Sequence, residues 1–457
     1  MRVGLEAGSA RSLRVPRFLF NEGLMRVSSS APVLHHSAES DEIKARVEAS
    51  ESNTGGHNFL EMDSASRQRR VAHDEGVPKR VLKVLHVTES LGGGVLESLA
   101  ELAGAQSAAG HEVYLLHSRR PDTPSTLEVN HRFKGLAGVT SVGEGPIPLL
   151  LTKLRSAIVE LDREVELDVV HLHSSFAGLL RLMVSPLLAE RMVYTPHGYA
   201  FMRDDFSTAV RALALGTELA LQTRSRTIAV GTGEAEQCRQ YLKSSRVSVL
   251  HNRVNTRGLP SHDPASRPLV VNVSRITKHK AADRFAAVAK VLANEADFMW
   301  IGDGDPRLKE RYFRDSPVEV TGWLSRDKAL LHLARAHVLL SCSRAEGLPL
   351  SVIEAQAMGI PVVLSDISGH RDAIDDGVSG YLARSLDEAV EYCRRLLRDR
   401  TAAAEMGAAG HRLARAQYDS AMLAEESLST YASLGLPGGA LSSLTPPSDT
   451  ASTRLHM

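Results

Sequence analysis

The chain repeats one pattern: short runs of apolar or β-branched residues alternate with longer segments whose apolar residues recur at helical spacing. Short, fully apolar strands separated by helices are typical of parallel sheets that are covered on both faces. The first series predicts strands at 81–87, 113–117, 169–173, 192–195, 227–230 and 247–250. The second series predicts strands at 269–273, 298–301, 318–320, 338–340 and 362–364.

Two such series predict an α/β protein with two doubly wound, Rossmann-like domains that face each other across a cleft. The break lies at 260–268, whose Pro, Ser and Asp content is typical of a linker. We therefore expect one domain over 81–262 and a second over 263–415. Ligands of such sheets bind outside the carboxyl ends of the strands, so the site should lie in the cleft.

The two ends of the chain lack this pattern. Residues 1–80 are rich in Ser, Glu, Arg and His, which predicts disorder or upstream sequence included by a mistaken start codon, with Met25 and Met62 as alternative starts. A transit peptide is the alternative, but the acidic cluster within 39–42 argues against it. The tail 436–457 is also predicted to be disordered.

Composition excludes some classes of protein. The 54 basic and 54 acidic side chains balance, which gives no reason to expect nucleic-acid binding. Three scattered cysteines are too few for a disulfide framework or a zinc site, and they favour a reducing cytoplasm. No apolar run is long enough to span a bilayer, whereas peripheral contact with the inner face of a membrane stays open.

Two glutamates lie around the start of one predicted helix. Glu346 is in the loop before it and Glu354 is inside it, while Pro349 suits the opening turn and Gly359 suits a left-handed end. The free N–H groups of a helix start attract anions. One carboxylate can accept hydrogen bonds from sugar hydroxyls and the other from a ribose. The alternative interpretation is a surface helix with two solvated glutamates.

Glycines 92–94 follow the first predicted strand and precede a helix. They allow the backbone to approach a ligand closely, and the helix start can face an anion. The spacing does not match G-x-G-x-x-G, and no acidic residue ends a second strand in the expected way, which argues against a dinucleotide site and a dehydrogenase. A plain flexible turn is the alternative.

His197 lies in the loop Thr-Pro-His-Gly after a strand, where an imidazole can donate or accept hydrogen bonds. A histidine satisfied by local backbone is the alternative. His171 and His173 should point to the same side of their strand, and His173 is expected to reach the cleft.

Basic residues follow the first strand of the second series. The planar fork of Arg275 and the mobile charge of Lys280 suit a diphosphate, with Lys278 as a less favoured partner and a solvated basic loop as the alternative. The glycine turn 302–304 and the segment after Gly322 could shape a pocket for a planar base.

We expect no metal site. Asp204 with Asp205 and Asp375 with Asp376 are adjacent pairs, and neither has a convincing strand-end setting with histidine, although the second pair follows a histidine. No nucleophile elbow is present in the sequence.

Taken in order, these motifs resemble the retaining nucleotide-sugar glycosyltransferases of family 4, which have the GT-B fold. The resemblance covers about 81–434 and is most specific in Glu346-x7-Glu354 followed by Gly359-x-Pro361. The sequence departs from the family pattern at Arg253 and Asn255, at Ala281 and at Pro349, which affects details of the pocket.

The resemblance implies roles for residues at matching positions. Arg275 and Lys280 would hold the donor diphosphate. Backbone N–H groups would approach it from both domains, at Gly93, Gly94, Leu350 and Ser351. Glu354 would bind the ribose, Glu346 the transferred sugar, and His197 would lie near the reacting centre. The family needs no divalent metal or resident cofactor, and 416–435 would be the terminal helix that returns to the first domain.

The implied function is transfer of a hexose, with retention, from a nucleoside diphosphate sugar to a hydroxyl of a glycan or lipid-linked acceptor. The setting would be cytoplasmic synthesis of bacterial surface polysaccharide or glycoconjugate. Two alternatives stay open: a nucleotide-sugar epimerase or hydrolase on the same fold, and an inactive protein that binds nucleotide or glycan.

Overall fold

The computed structural model describes residues 80–203, 206–222 and 226–438, so the predictions of disorder at the two ends fall almost wholly outside the described residues. The first half forms the elements β1 (Lys83–Thr88), α1 (Gly93–Ala108), β2 (Glu112–His117), α2 (Thr126–Arg132), β3 (Gly138–Ser141), α3 (Ile147–Val165), β4 (Val169–His173), α4 (Pro186–Ala189), β5 (Met192–Thr195), α5 (Thr208–Leu221), β6 (Thr227–Ala229), α6 (Thr232–Leu242) and β7 (Val247–Val249).

The second half forms the elements β8 (Leu269–Val273), α7 (Ala282–Leu292), β9 (Asp297–Ile301), α8 (Pro306–Phe313), β10 (Val318–Val320), α9 (Arg326–Leu333), β11 (Val338–Ser341), α10 (Leu350–Ala357), β12 (Val362–Ser365), α11 (Ser368–Arg371), β13 (Tyr381–Ala383), α12 (Leu386–Arg398), α13 (Arg400–Gln417) and α14 (Leu423–Ser433). Short 3₁₀ turns lie at Ala177–Leu182, Ala200–Met202, Lys278–Lys280 and Ser420–Met422.

Both sheets are parallel and doubly wound, which confirms the predicted fold class. The first has the strand order β3-β2-β1-β4-β5-β6-β7, and the second has the order β10-β9-β8-β11-β12-β13. The order reverses direction between β1 and β4 in the first sheet and between β8 and β11 in the second. Ligands of such sheets bind at this switch point, outside the carboxyl ends of the strands.

Two strands, β3 and β13, were not predicted from the sequence. Both lie at the edge of their sheet, and most of their side chains are only partly buried or exposed. An edge strand needs no continuous apolar run because one flank lacks a neighbour. The short, mixed sequences of these strands therefore gave no signal.

The core lies on both faces of each sheet. In β8, Val270 packs into one cluster of buried side chains, whereas Leu269 and Val271 pack into the cluster on the opposite face. Successive side chains of a strand point to opposite faces, so burial on both sides requires the apolar runs seen in the sequence.

The last helix, α14, packs on the first half of the chain. Leu423 and Tyr431 join a cluster of buried side chains in the first half of the chain. This cluster contains Leu82 just before β1, Val84 of β1 and Val169 of β4. The helix thus belongs to the core of the first sheet, although it follows the whole second half in sequence.

Helices α10 and α13 pack very closely where two glycines meet: Gly359, just after α10, and Gly407, within α13. A Cβ atom added at Gly407 would lie 2.0 Å from the carbonyl oxygen of Gly359. Gly359 itself has φ 78°, the left-handed conformation that ends α10. The crossing therefore depends on the missing side chain at Gly407.

We expect Gly407→Ala to lower the free energy of unfolding by about 1–3 kcal/mol, because the backbone at the crossing must move to admit a methyl group. Urea denaturation measures this change. Gly104→Ala is the matched control: Gly104 also lies within a helix, and its added Cβ would meet no atom within 4 Å. That substitution should stabilise by about 0.5–1 kcal/mol through helix propensity. Equal effects of the two substitutions would contradict the crossing geometry.

Candidate active site

The helix α10 carries the first part of the site. It begins at Leu350 and its N-cap is Pro349, which stands in extended conformation rather than inside the opening turn as predicted. Ser351 is the second helical residue. The free backbone N–H groups of this helix start therefore belong to Leu350 and Ser351, at the carboxyl edge of the second sheet.

Glu354 is buried within α10, with 5% of its surface exposed. Its Oε1 atom lies 2.6 Å from Nη1 of Arg326, and the same guanidinium lies 3.2 Å from Glu97 of the first half. Burial raises the pKa of Glu354, and Arg326 opposes that rise. The solvated interpretation of this glutamate is therefore wrong, and any ribose would share the carboxylate with Arg326.

Glu346 is also largely withdrawn from solvent, with 10% of its side chain exposed. Both of its carboxylate oxygens accept hydrogen bonds from Nζ of Lys280, at 2.6 and 2.8 Å. Burial alone would raise the pKa of Glu346, but the charges of Lys280 and His370, together with hydrogen bonds from Lys280 and Ser343, outweigh burial and lower the pKa. Lys280, predicted to hold a diphosphate, is thus paired with the glutamate predicted to hold the sugar.

Arg275 is engaged with the first half of the chain. Its Nη1 atom donates a hydrogen bond to Oδ2 of Asp122 at 2.9 Å, and Asp122 lies in the loop after β2. The glycine loop is adjacent, since a Cβ atom added at Gly93 would lie 3.8 Å from Nε of Arg275. The structure therefore brings Arg275 to the start of α1, where Gly93 and Gly94 are the first helical residues.

His197 lies in a strained turn after β5. It has φ 53°, the left-handed conformation that residues other than glycine rarely adopt. Glu234 holds the turn, because its carboxylate accepts hydrogen bonds from the backbone N–H groups of Gly198 at 2.5 Å and of Val230 at 2.8 Å. Burial raises the pKa of Glu234 to about 7, and these two backbone donors work against that shift.

The turn at His197 and the loop at Glu346 are neighbours. A Cβ atom added at Gly347 would lie 3.7 Å from the backbone nitrogen of Gly198 and 2.8 Å from a methyl group of Val230. Only a glycine allows the two halves of the chain to approach this closely. The structure therefore places the turn that follows β5 beside the loop that precedes α10, although the two lie far apart in the sequence.

Three buried imidazoles form a cluster that the sequence analysis did not recognise. The ring nitrogens of His86, His171 and His173 lie within 4.8 Å of one another, close enough for metal ligands. Each of the six nitrogens, however, already has a hydrogen-bond partner within the protein. His173 does not reach the cleft as expected but contacts His197 instead. The expectation of no metal site stays a prediction.

Of the two aspartate pairs considered in the sequence, the structure describes only Asp375 with Asp376. Asp376 accepts a hydrogen bond from the backbone N–H of Leu382 in a local turn. Asp204 and Asp205 lie outside the described residues.

Glycines 302 and 304 serve close packing of loops. Added Cβ atoms would lie 2.3 Å from the carbonyl oxygens of Ser274 and Ile276 respectively. The pocket for a planar base beside these loops stays a prediction.

Sequence reasoning missed the partners of the site residues. Asp122 and Arg326 lie far in sequence from the residues they pair with, and neither belongs to a motif. Asp372 is a similar case: its carboxylate accepts hydrogen bonds from the Thr232 hydroxyl and, at 2.8 Å, from the backbone N–H of Gly233. It thereby caps α6 from the other half of the chain.

None of the helices within the described ranges combines the length and the apolar character needed to cross a bilayer. The cytoplasmic location and the contact with a membrane stay predictions.

The comparison with protein families agrees with this architecture. Residues 92–257 match the model of Glycosyltransferase Family 4, and residues 267–399 match the model of Glycosyl transferases group 1. The two matches cover the whole second sheet and all of the first sheet except β1. The chain therefore belongs to the family 4 glycosyltransferases of the GT-B fold, and it is a glycosyltransferase.

Several curated proteins are similar in sequence. An uncharacterised 41.2 kDa protein in the cps region of Klebsiella pneumoniae is 24% identical over 67% of this chain and 87% of its own length. A UDP-Gal:α-D-GlcNAc-diphosphoundecaprenol α-1,3-galactosyltransferase of Escherichia coli is 26% identical over 50% of this chain and 65% of its own. A sulfoquinovosyl transferase of Arabidopsis thaliana is 30% identical over 42% and 38%.

Solved structures share the fold. A sucrose-phosphate synthase from Thermosynechococcus elongatus superposes with a TM-score of 0.65 at 17% identity, covering 77% of this chain and 99% of that one. HepE of Anabaena, in complex with UDP-glucose, gives a TM-score of 0.63 at 17% identity over 77% of this chain and 100% of its own.

We expect Lys280→Met to lower the free energy of unfolding by about 3–5 kcal/mol, because it leaves the largely buried carboxylate of Glu346 without its ammonium partner. The lowered pKa of Glu346 means that its pairing stabilises the protein above the unfolded pKa near 4.5 and that this contribution is lost as the pH falls. The cost of the substitution should therefore shrink below about pH 4.5. Urea denaturation across this pH range measures it.

The double variant Lys280→Met with Glu346→Gln is the matched control. It removes both charges, so it should recover much of the lost free energy of unfolding. A double variant that is as unstable as Lys280→Met alone would contradict the pairing.

Proposed function

We propose that this glycosyltransferase moves a hexose, with retention, from a nucleoside diphosphate sugar to a hydroxyl of a glycan or lipid-linked acceptor. The observation that carries the proposal is the proximity of the Arg275 guanidinium to the start of α1, a helix end that no side chain caps and whose first N–H groups have no partner within the helix. A diphosphate suits such a site because charge and N–H donors both favour an anion.

The relatives support the substrate class. The name of the Escherichia coli protein gives a UDP-sugar as donor and a diphosphoundecaprenol-linked sugar as acceptor. The Klebsiella pneumoniae relative is described by its place in the cps region, and HepE of Anabaena was solved with UDP-glucose. We propose the synthesis of a bacterial surface polysaccharide or glycoconjugate as the setting of this reaction.

In the proposed mechanism, the bond between the anomeric carbon and the diphosphate breaks while the acceptor hydroxyl forms its bond on the same face. The reacting sugar passes through an oxocarbenium-like state, and the acceptor proton goes to the leaving diphosphate. Negative charge grows on that diphosphate, so Arg275, Lys280 and the helix starts would stabilise the transition state more than the ground state.

The remaining side chains would orient the donor. Glu354 would accept hydrogen bonds from the ribose hydroxyls, while Arg326 favours the charged form of the buried carboxylate. Glu346 and His197, on the two adjacent loops at Gly347 and Gly198, would contact hydroxyls of the transferred sugar. Lys280 would divide its three donors between Glu346 and the diphosphate, which its flexible stem permits.

The donor must compete with Asp122 for Arg275. Substitutions at these two residues should therefore change the affinity for a nucleoside diphosphate in opposite directions. We expect Arg275→Ala to weaken binding of the matching nucleoside diphosphate about 10- to 100-fold, because it removes a charge-assisted hydrogen bond worth about 1.5–3 kcal/mol. Asp122→Asn should instead strengthen binding about two- to fivefold, since the partly exposed pair that it weakens contributes about 0.2–1 kcal/mol.

The measurement is titration calorimetry of the full chain with UDP, GDP and ADP, each with and without a chelator. Arg314→Ala is the control, because Arg314 pairs with Glu310 on the surface of the same domain. Weaker binding in both Arg275→Ala and Asp122→Asn would argue against a phosphate at Arg275. Loss of affinity on chelation would overturn the expected metal independence.

A second measurement addresses the reaction itself. Wild-type protein should transfer the sugar to an added lipid-linked or glycan acceptor, and NMR of the product should show the anomeric configuration of the donor. Consumption of donor without acceptor would point to the hydrolase or epimerase alternative, and an inverted product would contradict retention.

A further inference from the structure

A chain of hydrogen bonds runs from the terminal helix through the core of the first half to His197. Nε2 of His86 contacts Oε1 of Gln106 at 2.8 Å, Nδ1 of His86 contacts Nε2 of His173 at 3.0 Å, and Nδ1 of His173 contacts Nε2 of His197 at 3.0 Å. Gln106, His86 and His173 are buried, whereas His197 is partly exposed at the cleft. The direction in which these hydrogen bonds donate decides which nitrogen of His197 carries a proton.

The terminal helix fixes the orientation of the Gln106 amide. The hydroxyl of Ser427 donates to the carbonyl oxygen of Ala424 at 2.9 Å, so its proton is already committed. Ser427 can therefore only accept from Gln106, 3.0 Å away, and the atom it contacts must be the amide nitrogen. The same amide nitrogen lies 3.1 Å from the hydroxyl of Tyr431. The amide oxygen is left to accept from His86.

The tautomers of the three rings follow in order. Burial lowers the pKa of His86 and of His197 to about 4 and lowers that of His173, so each ring carries one proton at neutral pH. His86 donates from Nε2 to Gln106, and its Nδ1 must then accept from Nε2 of His173. Nδ1 of His173 must in turn accept from Nε2 of His197. The Nδ1 atom of His197 is left with a lone pair.

We propose that Gln106 is a positioning residue that fixes His197 as the Nε2–H tautomer through His86 and His173, so that Nδ1 of His197 accepts a hydrogen bond from a substrate hydroxyl. The role toward substrate rests on the proposed function above. The chemical consequence is selectivity for a hydroxyl group, because a bare imidazole nitrogen binds a donor and rejects a second acceptor such as a carboxylate or phosphate oxygen.

A neighbouring branch of the network provides a control. His171 contacts the hydroxyl of Tyr431 through Nδ1 at 3.0 Å and the hydroxyl of Thr195 through Nε2 at 2.8 Å. This branch lies in the same buried cluster, and Thr195 is only two residues from His197. The hydrogen bonds between His86, His173 and His197 do not pass through Thr195, so a change there perturbs the cluster without altering their direction.

The test uses Gln106→Glu to reverse the direction in which the hydrogen bonds from residue 106 to His197 donate. A carboxylate beside Nε2 of His86 stabilises a doubly protonated ring there. His86 then donates from Nδ1 to His173, His173 donates from Nδ1 to His197, and His197 becomes the Nδ1–H tautomer. The variant should therefore change the proton position at a ring that is two imidazoles away from the substitution.

The measurement is long-range ¹H–¹⁵N NMR of the full chain with ¹⁵N-labelled histidine, with the His197 signals assigned by their loss in His197→Gln. We expect the Nε2–H pattern in the wild type and in Thr195→Val, and the Nδ1–H pattern in Gln106→Glu. An Nδ1–H pattern in the wild type, or an unchanged pattern in folded Gln106→Glu, would overturn the proposal.

Gln106→Met covers the case in which the carboxylate prevents folding. It removes the anchor without adding a charge, so His197 should show a mixture of both tautomers. A single Nε2–H pattern in this variant would contradict the role of Gln106.

Turnover separates this inference from the proposed function. With a nucleoside diphosphate sugar that the wild type uses, kcat/KM should fall about tenfold in Gln106→Glu, equivalent to one lost hydrogen bond, and less than twofold in Thr195→Val. A reversed tautomer with unchanged kcat/KM would overturn the role toward substrate. Absence of any turnover in the wild type would count against the proposed function, while the NMR result would still decide the tautomer.

Discussion

Charges buried between two sheets must be paired, and this constraint organises the site. Lys280 with Glu346, and Arg326 with Glu354, place four charged groups where water is largely excluded. Each carboxylate would be costly alone. A substrate that binds these four side chains must exchange partners with them, so substrate binding and the stability of the protein depend on the same interactions.

The sequence predicted the fold well because this fold depends on patterns of apolar residues within short segments of the chain. Alternation of apolar strands and helices determines the parallel sheets, and the strands that escaped prediction, β3 and β13, are edge strands with little buried surface. The site was predicted less completely. Glu346, Glu354, Arg275 and His197 stand in recognisable local patterns, but their partners depend on contacts between segments far apart in the chain.

Asp122 and Arg326 illustrate this limit. Asp122 pairs with Arg275 across the cleft between the two halves, and Arg326 links Glu97 of one half to Glu354 of the other. His86 could have been found once the strand order was known, because β1 pairs with β4 and places His86 directly beside His171. The position of His86 beside His171 follows from the register of the paired strands and not from composition. A single sequence does not reveal that register.

The cap of α6 has a consequence for motion between the two halves. The backbone N–H of Gly233 is satisfied by Asp372, which belongs to the opposite half of the chain, and Gly231 at the N-cap position offers no side chain of its own. If the cleft widens, α6 loses this cap and its first turn faces water. Opening of the cleft and fraying of the first turn of α6 are therefore coupled. The order of that turn would indicate how far the two halves have separated.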